Sequence, residues 1–156
     1  MGNTCYFLSL IDDHMRFFWL YVKPDQKVEN LVQILDTWLL LVECQLGWML
    51  LIIQTDNTAE FKALVAWGEP KSIEFKFIES GTPLQNGMAE QFNKVILKIV
   101  RVLLFDTRFH KKYWKYTVMV TNYLQNQIRL VKDSENKNGQ KKTLYELWNQ
   151  HQLDLT

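Results

Sequence analysis

At 156 residues, 47% of them hydrophobic and 22% charged, the chain has the size and apolar content of one globular domain, which excludes a disordered or fibrous protein. No run of about 18 apolar residues occurs, and residues 1–6 lack the basic and apolar pattern of an export signal, so neither membrane insertion nor export is expected. The net charge of +1 conceals an asymmetry: residues 1–90 carry 6 Lys/Arg against 12 Asp/Glu, residues 91–142 carry 12 against 3, and the remainder 0 against 2. Such a division suits one surface that holds metal ions and another that meets phosphates, although a solvated basic helical face is the commoner cause.

Residues 6–11 and 17–22 are apolar and aromatic runs separated by Asp12, Asp13, His14, Met15 and Arg16, a strand, turn and strand. Pro24 ends the extended segment. Asp25 is placed to cap a helix whose apolar positions Val28, Leu31, Val32, Leu35, Trp38, Leu39 and Val42 follow three-and-four spacing up to a terminating Gly47. Residues 48–53 form a continuous apolar stretch, read as a strand buried on both faces and leading into Gln54, Thr55, Asp56 and Asn57. Residues 59–67 suit a short helix broken by Gly68 and Pro70, and Ile73, Phe75 and Phe77 alternate with charged residues as a strand does.

Residues 80–87 read as a loop. From about Gln85 to Phe105 the positions Met88, Phe92, Val95, Ile96, Ile99, Val102 and Leu103 mark one helical face, while Glu90, Lys94, Lys98 and Arg101 mark another. Helices at about 111–127 and 142–150 flank a polar stretch at 132–141. Cys5 and Cys44 lack metal-site spacing and are expected as free, buried thiols of a reduced compartment. The rings of six Trp and nine Phe are read as core, with base stacking as the lesser reading. The whole is a mixed α/β fold.

Asp56 at a strand's carboxyl end and Glu90 near a helix start give two carboxylates fixed by backbone geometry close to the densest basic segment. Hard divalent cations take carboxylate oxygens, and a pair of such ions stabilises the attacking and leaving oxygens of a phosphodiester displacement. Two isolated carboxylates carry little weight alone, because a surface Asp and a surface Glu are usually structural or solvated.

The local sequence adds specificity. Asp56-Asn57-Thr58-Ala59-Glu60-Phe61, followed by Gly81-Thr82-Pro83-Leu84-Gln85-Asn86-Gly87-Met88-Ala89-Glu90, resembles the paired DNGGEF and TPxQNGxAER signatures of Ty1/copia-type retrotransposon integrases. Tyr6-Phe7-Leu8-Ser9-Leu10-Ile11-Asp12-Asp13 resembles that family's hairpin. Lys111-Lys112-Tyr113-Trp114 and Thr143-Leu144-Tyr145-Glu146-Leu147-Trp148 resemble later motifs in the same order, so the likeness covers nearly the whole chain.

The resemblance implies a ribonuclease H-like mixed sheet flanked by helices and a two-metal mechanism using Mg²⁺ or Mn²⁺. Asp56 and Glu90 match the second and third acidic ligands, and Asn57 and Glu60 match positions that support the second. Gln85, Asn86 and Gly87 match a mobile loop that closes over the DNA end, and Lys94 matches a basic position suited to a phosphate contact. The alternative makes Asn57 a helix cap, Gly87 a turn former and Lys94 a solvated side chain. Lys98, Arg101, Lys111 and Lys112 complete the expected nucleic-acid surface.

In the family the first metal-binding Asp lies on a strand before the hairpin, and that strand is expected to be missing here. Asp12 and Asp13 are read as turn formers rather than substitutes. Thr58 and Ala59 stand where the family has paired glycines, and Gln91 where it has Arg. The expected organisation is an integrase-core domain over residues 1–131 with a polar linker and short helix over 132–156. The implied partners are DNA, RNA as a second candidate, and further copies of the chain, with no membrane, in the nucleus. Two other readings stand beside an integrase core that is inactive alone: a non-catalytic nucleic-acid-binding remnant and an unstable relic.

Overall fold

A computed structural model describes residues 6–47, 49–78, 83–135 and 140–149. The chain divides into two compact units, one built from described residues 23–91 and the other chiefly from described residues 7–22 and 92–149.

In the first unit, helix α1 (Val28–Leu46) buries Leu31, Leu35, Trp38, Leu39 and Val42, the stripe that the apolar spacing predicts. Gly47 ends it in the left-handed conformation at φ +67°, donating its N–H to the Glu43 carbonyl, a conformation that glycine adopts without a Cβ penalty. Asp25 is not the cap that its sequence position suggests. Lys27 holds that position, and Asp25 Oδ1 accepts from Lys27 N–H at 3.0 Å and from Asn30 Nδ2 at 2.7 Å, a local turn preceding the helix. Cys44 is a free thiol, but it is exposed rather than buried.

Strands β3 (Ile52–Asp56) and β4 (Glu74–Ile78) pair in parallel, with Ile52 opposite Glu74 and Asp56 opposite Ile78. Parallel neighbours require a crossover. It consists of α2 (Ala59–Lys62), α3 (Val65–Gly68) and a 3-10 turn at Glu69–Lys71, so the one helix expected at 59–67 is two. Gly68 packs so closely that an added Cβ would lie 2.6 Å from Phe75 Cε2 and 3.1 Å from the Ile73 carbonyl.

The buried strand expected at 48–53 is not found. The strand begins only at Ile52, and Met49, Leu51 and Ile52 are exposed. A strand is buried on both faces only when layers cover both, and here β3 and β4 form a two-stranded sheet.

The second unit holds most of the predicted hairpin, β1 (Tyr6–Ile11) with β2 (Phe18–Lys23), whose end residues Tyr6 and Lys23 belong to the first. Asp12 shapes its turn, donating its N–H to the Phe17 carbonyl and accepting from Met15 N–H through Oδ2, while Asp13 pairs with Arg16 at 2.6 Å. An aromatic cluster packs this unit: Phe17, Trp19 and Trp148 meet at centroid separations of 4.7–5.0 Å, and Phe18 stacks on Phe92 at 3.9 Å. The buried Asn126 side chain accepts from Phe18 N–H at 3.2 Å and donates to the Phe18 carbonyl at 2.8 Å, pairing that backbone as a neighbouring strand would.

Helix α4 (Pro83–Asp106) contributes residues to both units. Residues 83–87, read from sequence as loop, are helical from Pro83 onward, because proline's fixed φ and missing N–H suit the first helical position. After α4 come a 3-10 turn at Lys111–Tyr113, α5 (Trp114–Ile128), β5 (Leu130–Glu135), β6 (Lys141–Thr143) and α6 (Leu144–Asn149). β5 and β6 pair antiparallel and overlap both ends of the stretch read as polar, 132–141. A capping box starts α6: Thr143 Oγ1 accepts from Glu146 N–H at 3.1 Å, and Glu146 Oε2 accepts from Thr143 N–H at 2.7 Å, satisfying two amide groups reciprocally. In place of one mixed sheet, the described residues form three two-stranded sheets.

Candidate metal and nucleic-acid site

Asp56 is the last residue of β3, half-buried at the carboxyl end of the parallel pair. Its Oδ1 is buried and has no hydrogen-bond partner among the described residues. An orphaned buried carboxylate oxygen is costly unless a donor or cation meets it, so Asp56 offers the oxygen that a hard divalent ion takes.

Asn57 beside it is exposed and does not cap the next helix, whose N-cap is Thr58. Glu60, in the first turn of α2, is directed elsewhere: its Oε1 accepts from Nζ of Lys23, a buried lysine at the end of β2. Glu60 therefore anchors α2, the helix immediately following Asp56, and its carboxylate is engaged by a cation. Lys23 gave no local signal in the sequence, since a lysine closing an apolar strand is ordinarily solvated.

Glu90 lies exposed on α4, and Lys94, Lys98 and Arg101 follow it, also exposed. Spacings of four, four and three residues keep these side chains on one face of the helix. Gln85, Asn86 and Gly87 occupy the first turns of α4 rather than a loop; the side chains of Gln85 and Asn86 lie outside the described residues. Gly87 has ordinary helical backbone with open space around it, so it is neither a turn former nor a point of close approach. Lys111 and Lys112 are exposed on the 3-10 turn before α5.

No group of three or more His, Cys, Asp or Glu is assembled for a metal ion among the described residues. The donor chemistry at Asp56 fits a divalent cation, while a full three-carboxylate site is not assembled among the described residues.

The arrangement of hairpin, helix, parallel strands and long helix carrying Glu90 is shared with solved integrases. An integrase chain in an intasome of simian T-cell lymphotropic virus superposes with TM-score 0.70 at 15% identity, over 96% of this chain and 49% of that one. The HTLV-2 integrase catalytic core, solved with magnesium in a trimeric form, superposes with TM-score 0.60 at 18% identity, over 87% and 79%. The fold is therefore the ribonuclease H-like α/β fold of integrase catalytic cores.

Sequence relatives narrow the class. The chain is 30% identical over 128 residues to the retrovirus-related Pol polyprotein from transposon TNT 1-94 of Nicotiana tabacum, and 27% identical over 131 residues to that from transposon RE2 of Arabidopsis thaliana. These alignments cover 81% and 82% of the chain but only 10% and 9% of the polyproteins. No protein-family model matches. The chain is similar in sequence to a segment of retrotransposon Pol polyproteins and has the fold of integrase catalytic cores. No helix among the described residues is long and apolar enough to cross a membrane.

Proposed function

We propose that this domain belongs to the DNA-integration machinery of a copia-type retroelement, with Asp56 and Glu90 as two of the carboxylates that hold Mg²⁺ or Mn²⁺ at a DNA end. The observation that carries the reading is the buried Oδ1 of Asp56, which has no hydrogen-bond partner among the described residues, at the carboxyl end of β3. Bound there, a divalent ion supplies charge stabilisation to a phosphodiester displacement. Lys94, Lys98 and Arg101 lie along α4 on the same helical face as Glu90, and with Lys111 and Lys112 they contact phosphates. Work in the nucleus and assembly with further copies accompany this reading. Among the described residues two carboxylates stand where such a site takes three, and on this reading the chain turns over no substrate until a further acidic ligand is supplied.

Metal titration and strand transfer test this. Mn²⁺ is expected to raise the melting temperature of the chain by mass action, and Asp56→Asn and Glu90→Gln each to abolish the rise, while labelled donor DNA yields no strand-transfer product. Product that disappears in both variants would place a third ligand in this chain and overturn the inactivity. A second reading, a metal-independent nucleic-acid-binding module, is favoured by the exposed Lys94, Lys98, Arg101, Lys111 and Lys112. It requires DNA affinity that EDTA and both variants leave unchanged and that falls steeply with salt.

A further inference from the structure

The connection between α4 and α5 carries a surface that Asp56 and Glu90 do not use. Between Asp106 and Asp133 the chain has five Lys/Arg before Lys132 and no carboxylate, a concentration of charge that draws phosphate. Phe109, Tyr113 and Tyr116 lie in this segment with 60%, 41% and 55% of their surface exposed. Phe109 and Tyr113 are neighbours, with centroids 5.7 Å apart and rings inclined by 50°. Lys112 Nζ stands 5.0 Å from the centre of the Tyr113 ring and Lys115 Nζ 4.8 Å from that of Tyr116. The turn is held in shape by its cap, as His110 Nδ1 accepts from Lys112 N–H at 3.2 Å.

Exposed rings with ammonium groups beside them match the needs of an unpaired nucleic-acid strand. A base can stack on the open face of each ring while the neighbouring lysine meets the backbone phosphate. A duplex hides its base faces in its own stack and gains only the charge term. The apolar residues of α5 that adjoin Tyr116 could instead receive a second copy of the chain, but a two-fold pairing through this turn would bring Lys112 and Lys115 towards their own counterparts. The charge favours the polyanion.

We infer that residues 108–116 bind single-stranded DNA, with Phe109, Tyr113 and Tyr116 as stacking platforms and Lys111, Lys112 and Lys115 as phosphate contacts. The inference rests on the nucleic-acid partner proposed above, and not on the metal. DNA is the occupant because the site at Asp56 and Glu90 is read as acting on DNA ends, where unpaired strands arise.

Fluorescence-anisotropy titrations of the full chain in EDTA test it, with single-stranded DNA, a duplex of the same length and single-stranded RNA of the same sequence. Phe109→Leu and Tyr116→Leu are each expected to weaken single-strand binding about tenfold and to leave duplex affinity unchanged. Tyr116→Phe, which keeps the ring, retains binding. Lys112→Gln lowers the slope of log K against log salt by about 0.7 for the single strand. Leucine variants that bind the single strand within twofold of the parent would overturn the proposal, as would tenfold tighter binding of RNA. A dimer in sedimentation that Tyr116→Leu dissociates would assign the surface to self-association and also overturn it. Because no metal is present, these titrations report even where Asp56 and Glu90 prove not to bind one.

Discussion

Lys23 and Glu60 form an ion pair whose halves are unequally buried: 6% of the lysine side chain is exposed against 19% of the glutamate. Removing one partner of a buried pair costs about 3–5 kcal/mol, because the charge left behind has lost both its water and its counter-ion. The two single substitutions should therefore differ. Glu60→Gln strands the more buried charge and belongs near 4 kcal/mol at neutral pH, roughly 10 °C in Tm for a chain of this size. Lys23→Met leaves a carboxylate that water already reaches and belongs near 2 kcal/mol, roughly 5 °C. Replacing both by Met removes both buried charges and should recover most of the loss. Thermal melts followed by circular dichroism read all four proteins. Equal losses in the two single variants, or a double variant no better than Glu60→Gln, would refute the argument from unequal burial.

Four further outcomes follow from the same structure. Asn126→Leu leaves Phe18 N–H without its acceptor and weakens the pairing of its carbonyl, which Asn122 Nδ2 still reaches at 3.3 Å; a loss of about 2–4 kcal/mol is expected, with faster hydrogen exchange at the Phe18 amide. Gly68→Ala forces a Cβ against the Phe75 ring and the Ile73 carbonyl, costing about 1–3 kcal/mol in denaturant unfolding. Hydrogen bonds from Lys27 N–H, and then from Asn30, hold the Asp25 carboxyl below its ordinary value of 3.8. A depressed folded value gives stability that is present above 3.8 and lost as pH falls through the lower folded value, so Asp25→Ala should be the less stable protein at pH 6 and converge with the parent in stronger acid. Burial raises the Tyr21 phenol above 10.0; its contribution is present below that pH and lost as pH rises through the raised value, and Tyr21→Phe should flatten the alkaline limb of the stability curve.

What the sequence made legible was local. Helix α1 was legible because Leu31, Leu35, Trp38, Leu39 and Val42 repeat at helical spacing and Gly47 stops them. The hairpin was legible because Asp12 and Asp13 separate a pair of apolar runs. Asp56 was legible as a strand end followed by a recognisable motif, and β3 ends on it. The misreadings at 48–53, Lys23 and Asn126 turn on partners distant in the chain. The run at 48–53 has a buried strand's composition, yet β3 starts at Ile52 and the apolar residues before it stay exposed, because covering both faces of a sheet depends on other layers. Nothing near Lys23 announces Glu60, and nothing near Asn126 announces Phe18; these pairs lie 37 and 108 residues apart.

Helix α5 shows the limit most clearly. A period of 3.6 says that a helix has two unlike faces, and the usual inference turns the apolar face inward. Here the buried positions are Val118, Thr121 and Asn126, while Tyr116, Met119, Val120 and Tyr123 face solvent. Burying Thr121 and Asn126 is tolerable because both are paired: Thr121 Oγ1 donates to the Thr117 carbonyl at 2.7 Å, and Asn126 holds both backbone groups of Phe18. Once polar side chains with such partners take the inward positions, the helix's large apolar and aromatic residues are left on the outside. The Tyr116 and Tyr123 rings are thereby left exposed, beside a turn whose lysines are exposed as well.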